Sequence, residues 1–467
     1  MKEKTKIGLV AISDERPAIH GQDEQHNLDY LHMIKTVLEA RVDEAGENLE
    51  FVVEDRIINS MKLAVSLAKR MRAEDVAGVA MCHHMWTFAR EAAMFARVYG
   101  GPVAGYTNKD PLRPALVGLL CSGGTLDKMG VYHPRIIGDI NREDVQDEFL
   151  SWARAASTAS NLLGETYCNF GGRSMGMGTA VRDANDWIKR YGVDVEQVDQ
   201  VVLLERAKQV DGKLVEHAFS WLRANVGHID PTVPEEKIKN QIRLYEATKQ
   251  ICNEKGIDFY GVKCQPELSE ITDYAVPCLN QAFSNSDFDW NGPKEPVVCA
   301  CEADMGAAMT MRLLQGVSGQ PALFMDFRDY DERRDEYIFC NCGSQSVCYA
   351  KDMEDIHLVH TDKYYPSGGV HVQYVCKAGE VTVARLCEDA DGEWMAIIPG
   401  QFLYYDRERC QETSPLWPHA YLKADIDPDE LLQVYGSNHG HAVYGNWVKE
   451  LTHLGKILGF RTKVFGR

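Results

Sequence analysis

Short apolar runs and amphipathic stretches alternate over the first third of the chain. "KIGLVAI" reads as a strand, and apolar residues at helical spacing predict a helix from Asn27 to Val42. "LEFVVED", "VAGVAMC" and "GPVAGYT" read as further strands, with helical patterns at Met61 to Met71 and Trp86 to Val98 between them. Such alternation predicts βαβ units and a parallel sheet covered on both faces. A helix from Asp144 to Leu163 leads out of this region. The middle third alternates in the same way. Here "TYCNFGG", "DFYGVKC", "PVVCACEA" and "ALFMDF" are strands, with helical patterns after Thr179 and over Lys237 to Lys255. After Tyr330 the period changes. "GGVHVQYVCKAGEVTVARLCEDADGEWMAIIPGQFLYY" alternates apolar and polar residues around turn signals, which predicts antiparallel β structure. Helical patterns at Pro428 to Val434 and His441 to Leu458 close the chain. The expected fold class is α/β: two Rossmann-like parallel α/β domains, 1–164 and 165–327, then a smaller antiparallel β-rich C-terminal domain, 328–467. No linker or low-complexity tract separates them, so ligand sites are expected in clefts.

Composition narrows the function classes. The 467 residues carry a net charge of -19, which argues against a nucleic-acid partner because phosphate binding needs a basic footprint. No apolar run approaches the ~20 residues of a membrane span. The N-terminus enters a strand-like run without a signal-peptide pattern. Fourteen cysteines, several inside strand-like runs, read as buried free thiols of a reducing cytoplasm.

Two acids stand out against this pattern. Glu302 ends the apolar run of "VVCACEADMGAAMTM", and Asp326 ends that of "ALFMDFRDY". One strand–helix–strand unit separates them, which predicts both at the C-terminal ends of parallel strands, where open α/β sheets bind ligands. Two buried carboxylates side by side would leave one protonated, whereas a divalent cation would hold both ionised. Oxygen ligands of this kind suit Mn²⁺ or Mg²⁺. His439 in "VYGSNHGHAVYG", set among small residues before a helical pattern, is the candidate third ligand. The ordinary alternatives are a helix cap or ion pair for each acid and a satisfied polar residue for the histidine. "NFGGRSMGMGTAV" resembles a phosphate loop but lacks its Lys-Ser/Thr and a full dinucleotide fingerprint, so it reads as a tight turn. Cys82, His83 and His84, and Cys340, Cys342 and Cys348, lack structural-zinc spacing. Asp304, Asp329 and Asp331 read as caps or solvated charges.

The segment "SDFDWNGPKEPVVCACEADMGAAMTMRLLQGVSGQPALFMDFRDY", with "IGLVAISDERP", "FGGRSMGMG" and "GSNHG", resembles the L-fucose isomerase family, distantly related to L-arabinose isomerases. The resemblance implies an aldose–ketose isomerase dependent on a divalent metal, usually Mn²⁺, with Mg²⁺ or Co²⁺ as alternatives. It implies Glu302, Asp326 and His439 as metal ligands, the two carboxylates as the acid/base pair, and a hexamer. It also implies sugar contacts from Arg16, Trp86, Gln265, Ser344 and Asn438, with Trp86 reaching the next subunit's metal site. Departures fall along the expected sugar: Arg173 in "GGRSMG", Lys263 in "GVKCQPE", and His371 near a position where the family has Tyr. The chain is also much shorter than the bacterial fucose isomerases, chiefly in its last third.

The expected reaction passes through a cis-enediol, with a hydride shift as the alternative route. The expected substrate is a free monosaccharide, fucose- or arabinose-like or a 6-substituted hexose. Two other classes compete with this reading: a sugar-binding regulatory protein on the same scaffold, and an NAD-linked sugar oxidoreductase.

Overall fold

The computed structural model describes residues 4–271, 273–361 and 363–466. The chain forms two compact units, Met1–Leu162 with Lys449–Gly459, and Leu163–Val448 with Phe460–Arg467. The segments expected as second and third domains thus share one unit, and most of the last helix belongs with the first.

The first unit is built on a parallel five-stranded sheet. Its spatial order is Leu49–Val53, Thr5–Ala11, Gly78–Cys82, Val103–Thr107, Arg135–Ile137. Ile7 pairs with Phe51 on one side and Gly78 on the other. The two central strands are almost wholly buried, as their continuous apolar sequences require. The strand order reverses between Thr5–Ala11 and Gly78–Cys82, which is the switch point where such sheets bind ligands.

The second unit contains a four-stranded parallel sheet and a larger, mostly antiparallel one. The parallel sheet runs Cys299–Cys301, Phe259–Val262, Thr166–Phe170, Asp194–Val198. In the larger sheet, Gly379–Asp389 pairs with both His439–Tyr444 and Gly392–Leu403. The ring Gly379–Asp389, His439–Tyr444, Leu323–Asp331, Glu336–Cys340, His419–Lys423, Gly392–Leu403 therefore closes on itself, with Arg461–Val464 added in parallel to the last strand. Closure leaves few free strand edges.

Two expectations need correction here. Asp326 does not end a parallel strand beside the one that leads to Glu302. It lies within the antiparallel strand Leu323–Asp331, between His439–Tyr444 and Glu336–Cys340. A short apolar run buried on both faces looks the same in either kind of sheet, so "ALFMDF" could not reveal the difference. His439 likewise opens a strand, not a helix. "HGHAVY" is a buried central strand, and the helix begins only at Val448.

Candidate functional site: two carboxylates around one histidine

Glu302 follows the parallel strand Cys299–Cys301 on a tight turn. Glu302 and Ala303 both adopt left-handed backbone conformations, φ 59° and 53°. Such geometry is rare for residues with side chains and clusters at functional sites. The turn is held by Ala303 N–H donating to Val262 O at 3.1 Å and Asp304 N–H donating to Cys301 O at 3.2 Å. Gly261 makes room for it: a Cβ there would stand 2.8 Å from the Ala303 Cα. Asp304 then caps the helix Met305–Ser318, accepting from Ala307 N–H at 2.9 Å.

Asp326 and His439 arrive by another route. They are directly opposed residues on adjacent antiparallel strands, a pairing that puts side chains of one face in contact. His439 Nε2 lies 3.4 Å from Asp326 Oδ1 and 3.3 Å from Glu302 Oε2. His439 Nδ1 lies 2.6 Å from Asp304 Oδ2 on the other side of the ring. Glu302 Oε2 and His439 Nε2 are both buried and stand at ion-pair distance with no hydrogen bond between them. Asp326 is the opening of the cluster, its side chain 29% exposed against 1% for His439. Its Oδ2 accepts from Asn341 Nδ2 at 3.2 Å.

The charges are strongly coupled. Burial opposes a proton on His439, but the hydrogen bond to Asp304 and the nearby carboxylates of Asp326 and Glu302 outweigh it and hold the pKa well above the usual histidine value. Burial would raise the Asp304 pKa, but Arg385 and His439 bring it well below the carboxylate range. The Arg385–Asp304 pair, 2.9 Å apart, is fully buried.

These donors can be tested against a divalent cation. Among the described residues, no group of three or more His, Cys, Asp or Glu side chains is placed so that it could hold a metal ion as it stands. Neighbouring donors of an octahedral ion with bonds of about 2.1 Å stand about 3 Å apart. The 3.3 and 3.4 Å separations are within a small side-chain adjustment of that spacing. Two unpartnered buried donor atoms facing each other are also what an ion would satisfy. With that adjustment Glu302, Asp326 and His439 would present the oxygen and nitrogen donors that a hard divalent ion takes.

The other singled-out residues divide between the units. In the second unit, Ser344 donates through N–H and hydroxyl to Asn341 Oδ1, two hydrogen bonds from Asp326. Gln265 Nε2 donates to the Tyr365 hydroxyl at 2.9 Å. Lys263 is paired with Glu267 at 2.5 Å. Arg173 and Asn438 are exposed. His371 is fully buried, edge-on to Tyr365 at 4.9 Å, and burial pushes its pKa down to about 3. In the first unit, Arg16 and Trp86 line a cleft of about 520 Å³ with Asp14, Asp23 and Arg113. Arg16 follows the first strand and Trp86 the third, so this cleft opens at the switch point. Arg16 is paired with Asp14 at 2.6 Å.

Several neighbours escaped the sequence reading. Asp304 is a cap, as expected, but it is also the buried partner of His439. Arg385 carried no signal. Cys342 does not group with Cys340 and Cys348. Its sulfur lies 4.0 Å from Cys301, which in turn lies 3.7 Å from Cys264.

Comparison with known proteins identifies the family. Residues 4–164 match the first N-terminal domain of L-fucose isomerase, and residues 339–465 match its C-terminal domain. Together the two matches span more than half of the chain, and it belongs to the L-fucose isomerase family. Among curated relatives, an L-fucose isomerase of Citrobacter koseri is 22% identical over 360 residues, and one of Shigella dysenteriae serotype 1 is 23% identical over 370. Each comparison covers 70% of this chain, and the chain spans 61% of the length of these relatives. His439 lies inside the matched C-terminal segment, whereas Glu302 and Asp326 lie between the two matched domains. A solved periplasmic solute-binding protein of Actinobacillus succinogenes is matched at 13% identity and a TM-score of 0.19, too slight a likeness to support an argument.

Proposed function

We propose that this chain is an aldose–ketose isomerase, an intramolecular oxidoreductase of carbohydrate metabolism. In this reading Glu302, Asp326 and His439 hold one divalent cation, Mn²⁺ first, with Mg²⁺ or Co²⁺ as alternatives. The observation that carries the reading is the convergence of two carboxylates on one buried histidine nitrogen, at 3.3 and 3.4 Å. When bound, the ion would supply Lewis acidity toward the carbonyl and adjacent hydroxyl of an open-chain sugar. One of Glu302 and Asp326 takes the proton from C2, beside the carbonyl, and the other returns a proton to C1 through a cis-enediol, while the C2 hydroxyl proton passes to the C1 oxygen. Each acid must ionise to take a proton and hold one to give it, so their environments must differ. They do: Glu302 is buried, while Asp326 is more open and is hydrogen-bonded by Asn341.

The substrate in this reading is a free monosaccharide, fucose- or arabinose-like or a 6-substituted hexose. Arg16, Trp86, Gln265, Ser344 and Asn438 serve as its contacts, with Arg173, Lys263 and His371 marking where specificity departs from the family. Family resemblance supports a hexamer. All fourteen cysteines are free, which supports a reducing cytoplasm. Among the described residues no helix is long and apolar enough to cross a membrane.

The test is a panel of aldoses offered to chelator-treated protein, with ketose measured before and after Mn²⁺ is restored. Ketose formation that depends on the added metal is expected. No ketose from any aldose with any divalent cation, or an undiminished rate in the stripped protein, contradicts the proposal.

A further inference from the structure

We propose that Asp304 and Arg385 are positioning residues that decide which nitrogen of His439 faces Glu302 and Asp326. The inference rests on the reading of those three residues as a metal site. It starts from the two sides of the imidazole. Nδ1 lies 2.6 Å from Asp304 Oδ2, and a carboxylate can only accept, so Nδ1 carries the hydrogen. Nε2 is then the nitrogen that can give up its proton and offer a lone pair, and it is the one facing the two acids.

Asp304 cannot turn away from this task. Its Oδ2 also accepts from Arg385 Nη1 at 2.9 Å. Its Oδ1 takes Arg385 Nη2 at 3.1 Å and the backbone N–H of Ala307 at 2.9 Å. Asp304 lies against the far nitrogen of the ring, which separates its role from that of Glu302 and Asp326. Arg385 supplies the charge that lets a third carboxylate stay buried beside two others. Its guanidinium is anchored in turn by the Thr179 carbonyl at 3.3 Å and by His441 Nε2 at 3.4 Å. The line His441–Arg385–Asp304–His439 is fully buried and spans the strand Gly379–Asp389, the head of the helix Met305–Ser318 and the strand His439–Tyr444. Partners of this kind commonly govern metal affinity as well as geometry.

The informative variant is Asp304→Asn. Asn is a good helix cap, so the head of the helix keeps its cap. Its amide, however, can donate to Nδ1 and favour the tautomer with hydrogen on Nε2, which cannot ligate. Mn²⁺ binding to the full chain, stripped with chelator and followed by electron paramagnetic resonance of the free ion, is the readout, together with thermal melting. The wild type is expected to bind Mn²⁺, Glu302→Gln to lose it, and Asp304→Asn to fold with lowered melting, since Arg385 loses its buried counter-charge, and to bind about 10–100-fold more weakly at temperatures where it is folded. Arg385→Lys, which keeps the charge but not the two-pronged grip, should fall between wild type and Asp304→Asn. If the wild type binds Mn²⁺ and Asp304→Asn binds it equally well, the positioning role is overturned while the metal site stands. If the wild type itself binds none, the site reading fails and takes the positioning role with it.

Discussion

The two units each gather charged side chains in one place, the first at the carboxyl ends of its parallel sheet and the second where Glu302 of its parallel sheet meets Asp326 and His439 of its closed antiparallel sheet, and they treat those charges differently. In the first unit every charge described at the cleft is closed. Arg16 lies on Asp14, and Arg113 reaches both Asp23 at 2.7 Å and Asp110 at 3.0 Å. In the second unit Asp304 is saturated, but Glu302 Oε2 and His439 Nε2 face each other without a hydrogen bond. Buried polar atoms are seldom left unpartnered, and exceptions point to a function or a missing ion. The first arrangement suits recognition, since paired charges beside an aromatic ring offer a preset pattern of donors and acceptors. The second suits chemistry, since its donors are held ready for something else.

The strongest way to break this contrast is Glu302→Gln. It removes a charge from the open cluster and should abolish metal binding, with turnover falling by at least the 10²–10⁴-fold typical of a lost acid/base group. Metal content and ketose production of the folded variant check it. Next comes pH. In metal-free protein the raised His439 pKa keeps Nε2 protonated at neutral pH, so the ion must displace a proton. Affinity should rise about tenfold per pH unit below that pKa, with about one proton released per ion. Without metal, the sign for stability is opposite. A raised histidine pKa stabilises the fold most below the unfolded value of ~6.5, and that contribution is lost as pH rises through the folded pKa. Metal titrations and melting curves across pH measure the two trends separately.

Trp86→Ala addresses the first unit. Loss of a stacking face should raise KM or lower turnover about 2–10-fold, the worth of ~0.5–1.5 kcal/mol, while metal content stays unchanged. Gly261→Ala tests the turn that presents Glu302. Its added methyl meets Ala303 at 2.8 Å and should cost about 1–3 kcal/mol of stability, read by denaturant unfolding. The smallest effect is expected for Lys263→Ala. Glu267 already matches that charge, so rates on neutral sugars should stay within about twofold, as surface pairs are worth little. A selective loss on sugar acids or sulfonated sugars would place Lys263 on an acidic substrate tip.

Much of this site was legible in the sequence. Glu302 and Asp326 each end an apolar run, His439 sits among small residues in "GSNHG", and the three side chains do come together. The local period also revealed the parallel sheets and the antiparallel structure after Tyr330, but not that "ALFMDF" already belongs to the antiparallel sheet. Strand pairing was not legible. Asp326 and His439 face each other because two strands are in register, and register depends on partners distant in sequence. The same limit hid Arg385, 81 residues from Asp304, and the contact of Cys264 and Cys342 with Cys301. Such residues carry ordinary local patterns, and only the closed sheet brings them to the site.

The central claim is that Glu302, Asp326 and His439 act as one metal-dependent isomerase site. The most direct measurement is Mn²⁺ titration of the stripped wild-type protein with ketose formation followed in the same samples. The account predicts that activity on at least one aldose appears in step with the first bound ion per chain and is absent from Glu302→Gln under the same conditions. Activity that is complete without bound metal, or a Glu302→Gln variant that binds and turns over like wild type, would contradict it.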